Sequence, residues 1–153
     1  MTVVPRPSAL DALVYQAEAE AVEPDVGRFS RFVEVESFVD SVLTDLRWRD
    51  GLESRWSLTP PLEVVLLRRS RSATFSAAEH HRPVIHLRDG SWDRLTILHE
   101  LAHLAALDPE HHGALFCGVE LDLVRWFIGF QAYGALRTRF DELGVRYREP
   151  VTG

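Results

Sequence analysis

Residues 99–103 read His-Glu-Leu-Ala-His, two imidazoles four positions apart with a carboxylate beside the first. On a helix this spacing stacks His99 and His103 one turn apart. Both then reach a single Zn2+ at about 2.0 to 2.1 Å while Glu100 points beside the metal. In that position Glu100 is the general base for a water molecule attacking a carbonyl. The surrounding segment, Leu95 to Leu107, is strongly apolar, and two histidines and a glutamate are costly to bury there without a compensating ligand. The chain has one cysteine, Cys117, so a metal must be held by histidine and carboxylate.

A catalytic zinc needs a third protein ligand and an open position. Downstream candidates are Asp108, Glu110, His111, His112 and Glu120. The metzincin pattern requires glycine and histidine where Ala106 and Pro109 stand, and it fails. His112 is the expected ligand because Gly113 permits close backbone approach and the following helix folds back on the motif helix. His111 and Asp108 are the alternatives. A further donor often steadies a developing oxyanion, and His80, His81, Arg82, His86 and Tyr133 are candidates among which the sequence does not choose. Cys117, among Phe116, Val119 and Leu121, reads as a buried inert thiol. The aromatics Trp126, Phe127, Phe130 and Tyr133 follow helical spacing and read as core, and the arginines of 68–71 as a solvated strand end.

Leu10, Leu13, Val14 and Ala17 recur at helical spacing from Ser8 to Val22, with Ser8 as a cap. Val35 to Leu46 forms a second apolar stripe ending near Trp48 and Gly51. After Pro60 and Pro61, residues 62–67, 74–77 and 84–87 are strand candidates, and 24–31 and 145–147 hold possible short strands. Asp89 to Ser91 turns into the motif helix, which Asp108 and Pro109 end. Two more helices are expected from His112 to Phe127 and from Phe130 to Leu143. The fold class expected is α+β. A small, mostly antiparallel sheet packs against about five helices, including the one that carries His99 and His103. Residues 1–153 read as one domain, with N-terminal helices over about 8–48, the sheet over about 62–88, the motif helix over about 91–107 and C-terminal helices over about 112–143.

The His-Glu-Leu-Ala-His motif followed by His112, Gly113, Phe116 and Leu121-Asp122-Leu123-Val124 resembles the small HExxH metallohydrolases of actinobacteria and their phages. Val14-Tyr15-Gln16-Ala17-Glu18 and Phe38-Val39-Asp40 extend the resemblance, which runs from about Tyr15 to Val145 and is specific only in the active-site half. It implies a minimal zincin-like fold, zinc ligands at His99, His103 and His112, and Glu100 as catalyst, but no substrate. More distantly the arrangement is similar to minimal zincins of the SprT kind. The doubled histidine at His111 and the lack of a basic DNA-binding tail set this chain apart from them.

The remaining composition narrows the function classes. A chain of 153 residues buries about 68 to 70% of its unfolded surface and needs no disulfide scaffold. The net charge of -6 speaks against nucleic-acid backbones as partners. Met1 to Leu10 has no apolar run of signal-peptide length, and no stretch approaches 18 uncharged apolar residues, so a cytoplasmic location away from membranes is expected. The expected function is a zinc-dependent hydrolase cleaving peptide or amide bonds in a peptide or protein substrate. The alternatives are a three-histidine zinc endoribonuclease, opposed by Glu100 and Pro109 at positions that pattern gives to glycine and histidine, and a non-catalytic regulatory module. Residues 84–87 are expected at the sheet edge, where an extended peptide could add through main-chain hydrogen bonds.

Overall fold

The computed structural model describes residues 9–22, 27–70, 77–79, 83–90 and 92–151. Helix α1 spans Ala9–Ala21 and buries Val14, Ala17 and, unexpectedly for a charged group, Glu18. Its proposed cap, Ser8, lies outside the described residues. Helix α2 spans Phe32–Thr44 and buries Val35, Val39, Val42 and Leu43, the expected stripe. It stops earlier than the sequence suggested. Asp45 leaves the helical region and its carboxylate accepts the Arg47 backbone N–H at 2.8 Å, a local bond that competes with continuing the helix. A π-helical turn, Arg47–Gly51, and a short helix α3, Leu52–Trp56, follow, ended by Ser57 in the left-handed region.

Three strands form the sheet: β1 Val65–Arg69, β2 Ala77–Glu79 and β3 Val84–Arg88, in the order β1-β3-β2. Strand β1 runs parallel to β3 over five registered pairs, and β2 runs antiparallel to it over three. The α+β class holds, but the sheet is mixed and its longer pairing is parallel, which corrects the mostly antiparallel expectation. Strand β3 takes the place between β1 and β2, so it pairs with the earlier strand in parallel and with its sequence neighbour in antiparallel fashion. Strand β3 is therefore central, hydrogen-bonded on both edges, with Val84, Ile85 and Leu87 buried. Residues 84–87 offer no free edge to a peptide. The strand expected over 74–77 lies mostly outside the described residues. Among its described residues the 24–31 connector contributes an isolated bridge, Arg28 to Asp93, and 145–147 forms no strand.

Helix α4, Arg94–Ala106, carries the motif. Its N-cap is Asp93, whose carboxylate accepts the Thr96 N–H at 2.8 Å, and it ends at Leu107 with a left-handed φ of 48°. Every residue from Ile97 to Ala106 is buried, so the helix is enclosed on all sides and its polar side chains must find partners inside the protein. Helices α5, Ala114–Phe127, and α6, Phe130–Leu143, match the expected pair, and α5 packs along α4 while α1 lies along α6. Among the described residues, no helix is long and apolar enough to cross a membrane.

Candidate metal centre

The α4 spacing places His99 and His103 side by side, and the loop between α4 and α5 returns His112 to the same point. The three Nε2 atoms lie 3.2 Å (His99 to His103), 3.1 Å (His103 to His112) and 3.0 Å (His99 to His112) apart. All three residues are buried, at 3, 8 and 5% exposure. Three nitrogens at about 2.05 Å from one zinc at tetrahedral angles stand about 3.3 Å apart, so the observed triangle is the base of a slightly pinched tetrahedron.

What fills that triangle follows from the far sides of the rings. His99 Nδ1 lies 2.5 Å from Glu18 Oε2 and His112 Nδ1 lies 2.6 Å from Asp11 Oδ1. A carboxylate at Nδ1 fixes the proton there and leaves Nε2 as a lone pair. The Nε2 lone pairs of His99 and His112 therefore face each other beside His103 Nε2, an arrangement that is repulsive unless a cation sits between them. Burial, followed by the neighbouring His99, holds His112 below the usual imidazole range, which keeps it in the neutral form a metal requires. The residues present fit a bound metal ion.

A second grouping, Glu18, His99 and Glu120, also brings three potential ligand atoms within 4.8 Å of one another. It shares His99 through Nδ1, which the short contact to Glu18 already occupies. Glu120 Oε2 stands farther off, at 3.3 Å, and neither Glu120 oxygen has a hydrogen-bond partner of good geometry. Burial raises the Glu120 carboxyl well above its ordinary value and pushes Glu18 up to about 7. These acids form the back wall of the His99 site.

The structure separates His112 from its competitors. His111 is exposed, with φ of 60°, and its ring lies 6.1 Å from that of His103 in an edge contact. Asp108 is committed to the loop: Oδ1 accepts the Glu110 N–H at 2.9 Å and Oδ2 the Phe116 N–H at 3.1 Å. Gly113 is needed for this arrangement, because a Cβ there would stand 2.6 Å from Asp108 Oδ2. The close approach read from glycine is real, and it serves the turn that delivers His112. Glu100 is 4% exposed, and burial raises its carboxyl above the ordinary range while His99 opposes the shift.

No protein-family model, curated protein or solved structure matches this chain. The site therefore stands on its own geometry.

Of the residues considered for oxyanion support, His80, His81 and Arg82 lie outside the described residues and His86 is on β3. The Tyr133 hydroxyl accepts from Arg137 at 2.7 Å, and Tyr133 lines a recess of about 300 Å3 with Trp56, Asp122 and Arg125 that none of the three histidines enters. Cys117 is buried, its thiol pushed up by desolvation and donated to the His112 carbonyl at 3.5 Å, as an inert thiol should be. Arg68 pairs with Asp89 at 3.1 Å and lies over Trp92. The residues that sequence reasoning gave no role are on α1. Asp11, Tyr15 and Glu18 fall at i, i+4 and i+7, one helical face, and all three touch the histidines. The available signal was Glu18, a charged residue in the apolar stripe of Val14, Ala17 and Ala21.

Proposed function

We propose that the protein is a zinc-dependent hydrolase of zincin type that cleaves peptide or amide bonds, and that it shares this activity with the small HExxH metallohydrolases its motif resembles. The observation that carries the reading is the triangle of Nε2 atoms with a motif glutamate next to one ligand and carboxylates behind two of them. Three neutral nitrogen ligands leave a fourth position open, the arrangement of catalytic rather than structural zinc. Zinc held there would polarise a carbonyl oxygen and lower the pKa of water from about 15.7 to about 7.

The chain's own residues do the rest. Glu100 accepts the proton of the attacking water as the oxygen bonds to the carbonyl carbon. It then returns that proton to the nitrogen as the C–N bond breaks. Asp11 and Glu18 fix the orientation of His112 and His99. An extended substrate cannot add to β3, which is paired on both edges. The unpaired edge nearest α4 among the described residues belongs to β2, and that is where such a peptide would dock.

Zinc-loaded protein assayed on peptide libraries and structured RNA should cleave peptide alone. Glu100→Gln should reduce turnover about 100- to 10,000-fold and keep stoichiometric zinc. Turnover unchanged in that variant, RNA cleavage instead of peptide cleavage, or a wild-type protein that takes up no metal would overturn the reading.

A further inference from the structure

Helix α1 is held against the centre at two points. The bonds from Asp11 to His112 and from Glu18 to His99 lie seven residues apart on one face, and between them stands Tyr15. Its ring stacks on His99 at 5.4 Å between centroids with an interplanar angle of 17°, and meets His112 edge-on at 5.3 Å. The flanking Val14, Ala17 and Glu18 are buried, yet Tyr15 is 47% exposed. It therefore stands between the buried His99 and His112 and solvent. Its phenol makes no hydrogen bond among the described residues. A phenylalanine would supply the same ring contacts without leaving a polar group unused.

We propose that Tyr15 is a catalytic residue of this centre, donating a hydrogen bond from its phenol to the oxygen anion that develops on the scissile carbonyl. This rests on the hydrolase reading. As the water oxygen bonds to the carbonyl carbon and Glu100 takes the proton, the carbonyl π pair moves onto oxygen, where Tyr15 meets it. When the C–N bond breaks, its electron pair and the proton from Glu100 go to nitrogen and the carbonyl re-forms. Tyr15 keeps its proton throughout. An ordinary tyrosine phenol ionises at about pH 10, so at neutral pH it carries its proton and can donate.

Tyr15→Phe keeps the ring and removes the donor. Acetohydroxamate, which presents an oxygen anion to a metal, is titrated calorimetrically into zinc-loaded wild type and variant, with zinc affinity and Tm measured alongside. Zinc affinity and Tm should be unchanged, and acetohydroxamate should bind about ten- to a hundredfold more weakly to the variant. With a peptide substrate, kcat should fall more than KM rises. Equal hydroxamate affinity, or no hydroxamate binding to the zinc-loaded wild type, overturns the proposal. Loss of zinc in the variant also overturns it, making Tyr15 a ligand or a prop. Hydroxamate binding that depends on Tyr15 without cleavage of any peptide would instead defeat the hydrolase reading and leave the donor assignment standing.

Discussion

On α5, Asp122 and Glu120 are two residues apart and both buried, but their surroundings differ in kind. Asp122 receives Arg55 Nε at 2.9 Å, Arg55 Nη2 at 3.1 Å and the Trp56 indole N–H at 2.8 Å, so its charge and lone pairs are matched by groups the chain supplies. Glu120 is fully enclosed and faces a second buried acid, Glu18, and the back of His99. Among the described residues, no arginine approaches it as Arg55 approaches Asp122. The first arrangement ties α3 to α5 and is complete as it stands. The second is balanced either by protons kept on the acids themselves, which burial favours, or by positive charge arriving at His99, through protonation or a metal. A protein that places an arginine beside one acid and not beside the other has put the second where a ligand changes the balance.

The comparison is broken most forcefully at Asp122. Asp122→Ala leaves Arg55 and the Trp56 indole without their acceptor, and should lower stability by about 3 to 5 kcal/mol, read as a large drop in Tm. Zinc affinity should be unaffected. A Tm close to wild type would mean that the pair contributes nothing and that the contrast with Glu120 is false.

Glu18→Ala tests the other side. It should leave the metal-free Tm unchanged or raise it, because a buried acid without a cationic partner is removed, and it should weaken zinc binding about 10- to 100-fold. Competition against a chromophoric chelator gives the second quantity. Unchanged zinc affinity would show that the short contact to His99 does not orient the ligand. A loss of stability as large as that of Asp122→Ala would make Glu18 a structural acid like Asp122.

The two regions also differ in how far they could be read from sequence. His99, Glu100 and His103 were legible because helical geometry alone brings residues four apart together, and His112 because a short loop followed by Gly113 leaves the chain few places to go. Asp11 and Glu18 were not, since they meet His112 and His99 across 101 and 81 residues, and an acid on an amphipathic helix ordinarily faces water. Glu120 looked like a ligand candidate for the right reason, proximity to the motif histidines, but α5 presents it to Nδ1 rather than Nε2. The same limit explains β3. Its apolar run announced a strand, while its central place depends on where β1 pairs, which no local pattern records. Pairing across the molecule decided both cases.

The smallest effect expected is in the pH dependence of the metal-free protein, and its direction separates the two acids. Glu18, raised by burial to about 7, and Glu120 and Glu100, raised chiefly by burial, are protonated in both folded and unfolded chains well below the ordinary glutamate range. Between about 4.5 and 7 the unfolded chain releases the Glu18 proton while the folded one keeps it, and Glu120 and Glu100 act in the same direction. The folded state then binds more protons, so stability falls as pH rises through that window. His99 works in the same direction. Burial opposes its charge, but Glu120, Glu100 and Asp11 leave its pKa raised, and the stability this gives at low pH is lost as pH rises. His112, lowered by burial, runs the other way and reduces the slope. The metal-free Tm should therefore be higher at pH 5 than at pH 7.5, and Glu18→Gln should flatten the difference. Added zinc should raise Tm more at pH 7.5 than at pH 5, because protons compete with the metal for the imidazoles at the lower pH. A metal-free Tm that climbs from pH 5 to pH 7.5 would mean that the acids around His99 are ionised and matched within the folded chain, as Asp122 is by Arg55, and the distinction between the two regions would be lost.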